Sequence, residues 1–131
     1  MNIALYRSAL AELRELIALI ESDEGEYLPD MPFSREGIGT CTVTAIWLAQ
    51  RLRGQLGGYD ITNNPTAELG QLEGGHDFCL VGGRFIVDWW ATEYAAVEPQ
   101  HPGVLDLGDP AQAQLALRWY GDRNCWTIRT P

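Results

Sequence analysis

The sequence contains no lysine, and its nine basic residues, all arginine, face 18 acidic ones, which gives a net charge of −9. Binding to phosphate groups requires a basic face, so this charge argues against nucleic acid or an anionic membrane as partner and permits a basic protein. The missing lysine has two interpretations. A GC-rich genome would explain it, and so would delivery into a host that tags lysines; the sequence does not choose between them.

Cysteine is scarce too: Cys41, Cys79 and Cys125 form an odd set without a CxxC pair or a Cys/His cluster. We therefore predict neither a metal site, nor a disulfide framework, nor a cofactor, and expect the reduced thiols of a cytosol. No apolar run reaches the roughly 18 residues of a membrane span, and the first ten residues lack the pattern of a signal peptide. We expect a soluble protein that is cytoplasmic where it is made, with any delivery to another cell using a different signal.

The 131 residues predict one domain, 1–131, that is large enough to bury a core. Apolar spacing predicts helices over residues 2–21 and 40–56, the second one stopped by Gly57-Gly58, and a third after Asp109-Pro110 that ends at Gly121. Strands are expected over 59–62 and 125–130 and in a hairpin around Gly82-Gly83, with loops over 22–39 and 92–109. The predicted fold class is α+β, a small antiparallel sheet packed on helices.

Cys41 falls in the first turn of the second predicted helix, directly after the flexible Gly37-Ile38-Gly39. The free N–H groups and the positive end of the helix dipole favour a thiolate at such a position. The same N–H groups can stabilise the oxyanion that forms when a thiolate attacks a carbonyl. The alternative is that Cys41 is simply a small buried apolar residue.

In the predicted hairpin, His76 opens the first strand (HDFCLV) and Asp88 closes the second (RFIVDWW). Side chains alternate between the two faces of a sheet, so the loop length decides whether these two groups meet. A two-residue loop, Gly82-Gly83, places them on opposite faces. A three-residue loop, Val81-Gly82-Gly83, places them directly opposite each other on one face. A catalytic interpretation therefore requires a loop of odd length or a bulge.

This order of residues resembles the transglutaminase-like branch of the papain-like cysteine hydrolases, an order that arylamine N-acetyltransferases share. The matching segments are GTCTVTAIWLAQRLR and HDFCLVGGRFIVDWW. The resemblance implies a papain-like core with Cys41 as nucleophile, His76 as base and Asp88 as the group that orients the imidazole.

The Cys41 backbone N–H is one natural oxyanion donor, but the second donor is not evident. Papain-like enzymes often use a glutamine upstream of the nucleophile, and this chain has none before Gln50. Arg35, Thr40 and Asn63 are possible substitutes, among which the sequence does not choose.

The leading hypothesis is a thiol-dependent hydrolase or transferase that acts on an amide of a protein or peptide: a deamidase, a protease or a transglutaminase-like enzyme. Resemblance to small bacterial effector or toxin domains suggests a host or rival protein as substrate. Trp89 and Trp90 follow Asp88 and are candidates for the wall of a substrate groove. The alternative is a non-catalytic acidic binding protein on the same fold, such as an immunity protein or inhibitor. Proximity of the Cys41 sulfur and the His76 ring discriminates the two.

Four further possibilities rank lower. Asp77 alternates to the face opposite His76 and is expected to be a surface charge, whereas Cys79 is expected in the core. His101 lies in the segment EPQHPG and is expected at the surface. A metal site formed by the proposed triad would lack a fourth ligand.

Overall fold

The computed structural model describes residues 2–21, 41–71 and 74–131. Arg35, Thr40 and the predicted loop 22–39 lie outside these residues. The helices are α1 (Ile3–Glu21), α2 (Cys41–Leu52), α3 (Trp89–Tyr94) and α4 (Pro110–Tyr120). The strands are β1 (Gln55–Asp60), β2 (Gly75–Val81), β3 (Phe85–Val87), β4 (Val104–Asp106) and β5 (Thr127–Arg129). Two short 3-10 turns, Glu68–Gly70 and Arg123–Cys125, complete the described elements.

The strands form one sheet in the order β4-β3-β2-β1-β5, in which all neighbours are antiparallel. This confirms the α+β class. β2 is the central strand, and α2 packs across β2 and β1 while α1 packs on α2. In the parts of the chain described, no helix has the length and apolar character needed to cross a membrane.

The first and last predicted helices are confirmed, and their sequences explain them. In α1, apolar side chains spaced by three or four residues are all buried: Tyr6, Leu10, Leu13 and Ile17. The start of α4 is fixed by Asp109, whose side chain accepts a hydrogen bond from the Gln112 N–H, and by Pro110 in the first turn. The predicted last strand is present as the shorter β5.

The predicted end of the second helix is wrong: α2 stops at Leu52 instead of residue 56. Arg53 adopts a positive φ of 55°, the Gly54 N–H donates to the Ala49 carbonyl at 2.8 Å, and the Arg53 N–H donates to the Gln50 carbonyl at 3.4 Å. These two bonds form a Schellman motif, which normally places glycine at the position that Arg53 occupies. Without that glycine signal, the helix end could not be located from the sequence.

Gly57 and Gly58 are therefore not a helix stop but lie within β1, which begins and ends earlier than the strand predicted over 59–62. A Cβ on Gly57 would lie 2.5 Å from the Phe78 ring of the neighbouring strand. Glycine here leaves room for an aromatic side chain to cross the strand, a use of glycine that differs from a turn.

The hairpin loop is Gly82-Gly83-Arg84, since Val81 pairs with Phe85. Both glycines have a positive φ, 61° and 67°. The loop therefore has the odd length that the catalytic interpretation requires, although it lies one residue later than predicted. β3 also ends at Val87, so Asp88 follows the strand instead of closing it. The segment 92–109, predicted to be irregular, contains β4. The short helix α3 was not predicted either.

Candidate active site

Cys41 is the first residue of α2, and its side chain is buried next to the central strand. The backbone N–H of Asp77 donates to the Cys41 sulfur, with 3.4 Å between N and Sγ. Such a donor stabilises negative charge on sulfur. The predicted place of Cys41 at a helix start is therefore confirmed, and β2 adds a donor that the sequence did not reveal.

The Asp77 N–H can reach sulfur because the pairing of β3 with β2 covers only Cys79 to Val81. In an antiparallel sheet, successive residues direct their N–H and C=O groups to alternate sides of the strand. Residues 77, 79 and 81 of β2 share the side that β3 pairs. Since β3 ends at Val87, the N–H of Asp77 points past the end of that strand, and the start of α2 occupies the space.

His76 and Asp88 form a buried pair, with 2.7 Å between Nε2 and Oδ2 and side-chain exposures of 1% and 3%. His76 reaches this position from β2. Asp88 reaches it from the junction between β3 and α3, where its Oδ1 also accepts the Ala91 N–H at 3.0 Å. One carboxylate therefore caps a helix and holds the imidazole.

The charges of this pair support each other. Burial alone would lower the pKa of His76, but the Asp88 carboxylate, with a smaller contribution from Cys41, raises it to about 10. Burial alone would raise the pKa of Asp88, but His76, and to a smaller extent His101 and Tyr120, hold it below its usual value. The structure therefore favours an imidazolium beside a carboxylate.

The nitrogen atoms of His76 have different surroundings. Nε2 faces Asp88, so it carries a proton in either charge state of the ring. Among the described residues, no group forms a hydrogen bond of ordinary geometry with Nδ1, which is buried. Cys41 is nevertheless near enough to contribute to the raised pKa of His76. Nδ1 is therefore the atom available to exchange a proton with the thiol.

Both Cys41 and His76 line a cleft of about 430 Å³. Its other described lining residues are mostly polar or glycine: Thr42, Gly58, Tyr59, Asp60, Asn63, Gly74, Gly75, Asp77, Cys125, Thr127 and Arg129. Of the three residues considered as the second oxyanion donor, Asn63 lies in this lining. The thiol and the imidazole therefore lie at the wall of the same cleft.

Asp77, expected as a surface charge, is partly exposed, with 22% of its side chain accessible, but it also makes contacts that the sequence did not indicate. Its carboxylate accepts a hydrogen bond from Thr42 Oγ1 at 2.5 Å and lies 3.4 Å from the Arg129 guanidinium. These contacts connect β2 to the first turn of α2 and to β5. The side chain therefore holds the Asp77 backbone N–H in place beside the Cys41 sulfur.

The tryptophans predicted as a substrate wall lie elsewhere. Trp89 and Trp90 are each 4% exposed, and neither lines the cleft. The Trp90 ring packs against the His76 ring with 5.1 Å between centroids. Cys79 is fully buried, as predicted, and burial raises its pKa to about 12.

The expected surface position of His101 is also wrong, because this side chain is 3% exposed and contacts Tyr120. The Pro- and Gly-flanked loop gave no periodicity from which burial could be inferred. Tyr120 donates in turn to Asp88, and nothing in the helical pattern of α4 indicated a polar role for its hydroxyl.

The described residues contain no group of three or more His, Cys, Asp or Glu side chains that could hold a metal ion. No protein-family model matches the sequence, and neither the curated proteins nor the solved structures compared with it gave a match. The resemblance to transglutaminase-like enzymes therefore stays a prediction, and the site is interpreted from its own chemistry.

Proposed function

We propose that this protein is a thiol-dependent hydrolase or acyltransferase that acts on an amide of a protein or peptide through Cys41, His76 and Asp88. The observation that carries the proposal is the His76 ring: one nitrogen is bonded to Asp88, and the other has no hydrogen bond to any described residue, beside Cys41 in a shared cleft. A papain-like or transglutaminase-like core is part of the proposal.

The reaction proceeds in two halves. Nδ1 of His76 holds the proton of the thiol, as the imidazolium that Asp88 stabilises, and the Cys41 sulfur bonds to the amide carbon. The tetrahedral intermediate collapses, the C–N bond breaks, and the Nδ1 proton goes to the departing amine or ammonia. Neutral His76 then removes a proton from water or an acceptor amine, which attacks the thioester. The C–S bond breaks, the Cys41 sulfur is released, and the proton stays on Nδ1. Asp88 fixes the ring tautomer and stabilises the imidazolium in both halves.

The oxyanion of each tetrahedral intermediate needs hydrogen-bond donors. The Cys41 backbone N–H supplies one, since it lies at the first residue of α2 and has no carbonyl one turn earlier in the helix. Asn63 supplies the second in this proposal, because it is one of the residues that line the same cleft.

The small polar cleft favours a side-chain amide, such as that of glutamine, over an extended apolar peptide. The net charge of −9 favours a protein substrate with a basic surface. Deamidation of a basic host or rival protein by a bacterial effector is the specific form of the proposal. Peptide cleavage and transamidation are the other outcomes of the test.

The test incubates the protein and its Cys41→Ala variant with candidate basic proteins and identifies changes by mass spectrometry. Cys125→Ala is the matched control, because Cys125 lines the same cleft without contacting His76 in the proposed mechanism. We expect a mass change of deamidation in wild type and in Cys125→Ala, and none in Cys41→Ala.

A thiol probe tests the same proposal without a known substrate. Iodoacetamide is expected to modify Cys41 in the native protein and to spare Cys79, which is fully buried. His76→Ala should slow the modification of Cys41. Labelling of Cys125 but never of Cys41 would favour the alternative function, a non-catalytic acidic binding protein, for which the charge of −9 is the supporting observation.

A further inference from the structure

A chain of buried hydrogen bonds continues beyond Asp88. The Tyr120 hydroxyl lies 2.6 Å from Asp88 Oδ2, and His101 Nε2 lies 2.7 Å from the same hydroxyl. The Gly103 backbone N–H donates to His101 Nδ1 at 2.9 Å. Tyr120 is fully buried and His101 is 3% exposed. We call His76, Asp88, Tyr120 and His101 the buried relay.

The protons of the buried relay have one possible order. Since His101 Nδ1 accepts from a backbone N–H, the proton of the neutral ring is on Nε2, which donates to the Tyr120 oxygen. The Tyr120 hydroxyl proton is then free to be donated to Asp88. Burial lowers the pKa of His101 to about 4 and raises that of Tyr120, so both groups keep these protonation states near neutral pH.

Asp88 consequently receives three donors. Oδ1 accepts the Ala91 N–H, and Oδ2 accepts both His76 Nε2 and the Tyr120 hydroxyl. Three bonds from different directions prevent rotation of the carboxylate. The position of Oδ2 in turn fixes the plane of the imidazole and the direction of Nδ1.

We propose that Tyr120 and His101 are positioning residues of the active site, which act through Asp88 to direct His76 Nδ1 at Cys41. This inference rests on the proposed function. The supporting feature is the order of the donors, which runs in one direction from His101 through Tyr120 to Asp88. The Ala91 N–H and the imidazole already bind Asp88, and the structure adds a third donor that a second buried histidine holds in place.

Several titratable groups surround His76 and could affect the pH dependence of Cys41 alkylation. Asp88 and Cys41 interact with it directly. Tyr59 is its partner on β1, the Tyr120 ring lies 5.8 Å away in α4, and His101 interacts with it through space. Of these, only Cys41 changes its charge on reaction with an alkylating reagent.

The experiment measures the rate of Cys41 alkylation by iodoacetamide against pH, in the full chain with Cys125→Ser and with peptide mass spectrometry to locate the label. Tyr120→Phe removes only the hydroxyl, and Tyr6→Phe is the matched control for the same change in a core tyrosine that lies outside the cleft and the relay. We expect Tyr120→Phe to raise the midpoint by about one pH unit, which lowers the alkylation rate about tenfold at pH values well below the wild-type midpoint. Tyr6→Phe should leave the midpoint unchanged.

His101 gives a second pair of variants if Tyr120→Phe does not fold. His101→Leu removes the donor to Tyr120, whereas the side-chain amide of His101→Gln can still donate. We expect the midpoint to shift in the first and to return towards wild type in the second. Circular dichroism and thermal unfolding identify which variants are folded.

The outcomes separate this inference from the proposed function. A folded Tyr120→Phe with lower stability but an unchanged midpoint would mean a purely structural role and would overturn the inference while leaving the triad intact. A wild-type midpoint equal to that of a free thiol would contradict both. A shifted midpoint in Tyr120→Phe without any substrate turnover in wild type would support the relay and count against the hydrolase.

Discussion

At the scale of single residues, Asp88 connects three parts of the site through hydrogen bonds. Its carboxylate caps α3 through the Ala91 N–H, holds His76 and accepts from Tyr120. Removing the charge leaves the imidazole buried without its partner, and loss of one member of a buried ion pair costs about 3 to 5 kcal/mol.

Asp88→Asn should therefore destabilise the protein by about 3 kcal/mol, because asparagine still caps a helix but cannot pair with an imidazolium. Urea unfolding monitored by tryptophan fluorescence measures the change. Asp109→Asn is the control, since Asp109 caps α4 in the same way, at 3.0 Å from the Gln112 N–H, without a histidine. Equal losses in the two variants would show that the cap, and not the pair, accounts for the effect.

The residue types of the triad could be predicted from the sequence because each stands at a boundary that local patterns mark. Cys41 follows a glycine-rich stretch at a helix start, and the apolar runs that His76 opens and Asp88 closes flank Gly82-Gly83. The roles of Tyr120 and His101, the other two members of the buried relay, could not be predicted from the sequence. Only the packing of α4 against the 101–103 loop brings His101 to Tyr120, and neither segment has a pattern that encodes this contact.

At the scale of secondary-structure elements, the end of α2 contains an arginine where a glycine would fit better. Arg53→Gly should raise the free energy of unfolding by up to about 1 kcal/mol, because it removes the cost of a positive φ of 55° at a residue with a side chain. Thermal and urea unfolding measure the gain.

Gln50→Gly is the matched control for Arg53→Gly. Gln50 is exposed and lies inside α2, where a glycine costs about 1 kcal/mol. The two substitutions lie only three residues apart but should change the free energy of unfolding in opposite directions. A loss of stability in both would contradict the left-handed conformation of Arg53.

The same helix end explains the largest error of the sequence-based fold. Gly57-Gly58 were predicted to stop the helix, but Gly57 lies in β1 and leaves room for the Phe78 ring, which reaches across from the central strand. The short elements β4 and α3 were missed for another reason. Their three and six residues are too few for a periodic pattern. In addition, Asp88, which caps α3, was assigned to the end of the hairpin strand, so the start of a helix was not recognised there.

At the scale of the whole molecule, two buried histidines of opposite behaviour shape the dependence of stability on pH. The pKa of His76 is raised from 6.5 to about 10, so its contribution is complete below pH 6.5 and is lost as the pH rises towards 10. The pKa of His101 is lowered from 6.5 to about 4, so its contribution is complete above pH 6.5 and is lost as the pH falls towards 4.

Stability should therefore be greatest near pH 6.5 and decrease on both sides, by at most about 1.4 kcal/mol per pH unit for each histidine. Asp88, whose pKa is lowered, adds a further loss below about pH 4. Urea unfolding at a series of pH values measures the curve. In His101→Gln the acid side should flatten between pH 4 and 6.5 while the alkaline side persists; a wild-type curve that is flat from pH 5 to 9 would contradict both assignments.

The buried relay also affects the stage of synthesis and folding at which the Cys41 thiol becomes fully reactive. Its members, together with Cys41, come from positions 41, 76, 88, 101 and 120 of the 131, and α4 supplies one of the last contacts. While the chain is being made, the thiol emerges from the ribosome well before the hydroxyl that completes the relay. On the proposed mechanism, the newly made protein reaches its full reactivity only after α4 has docked. Folding itself thus delays the full reactivity.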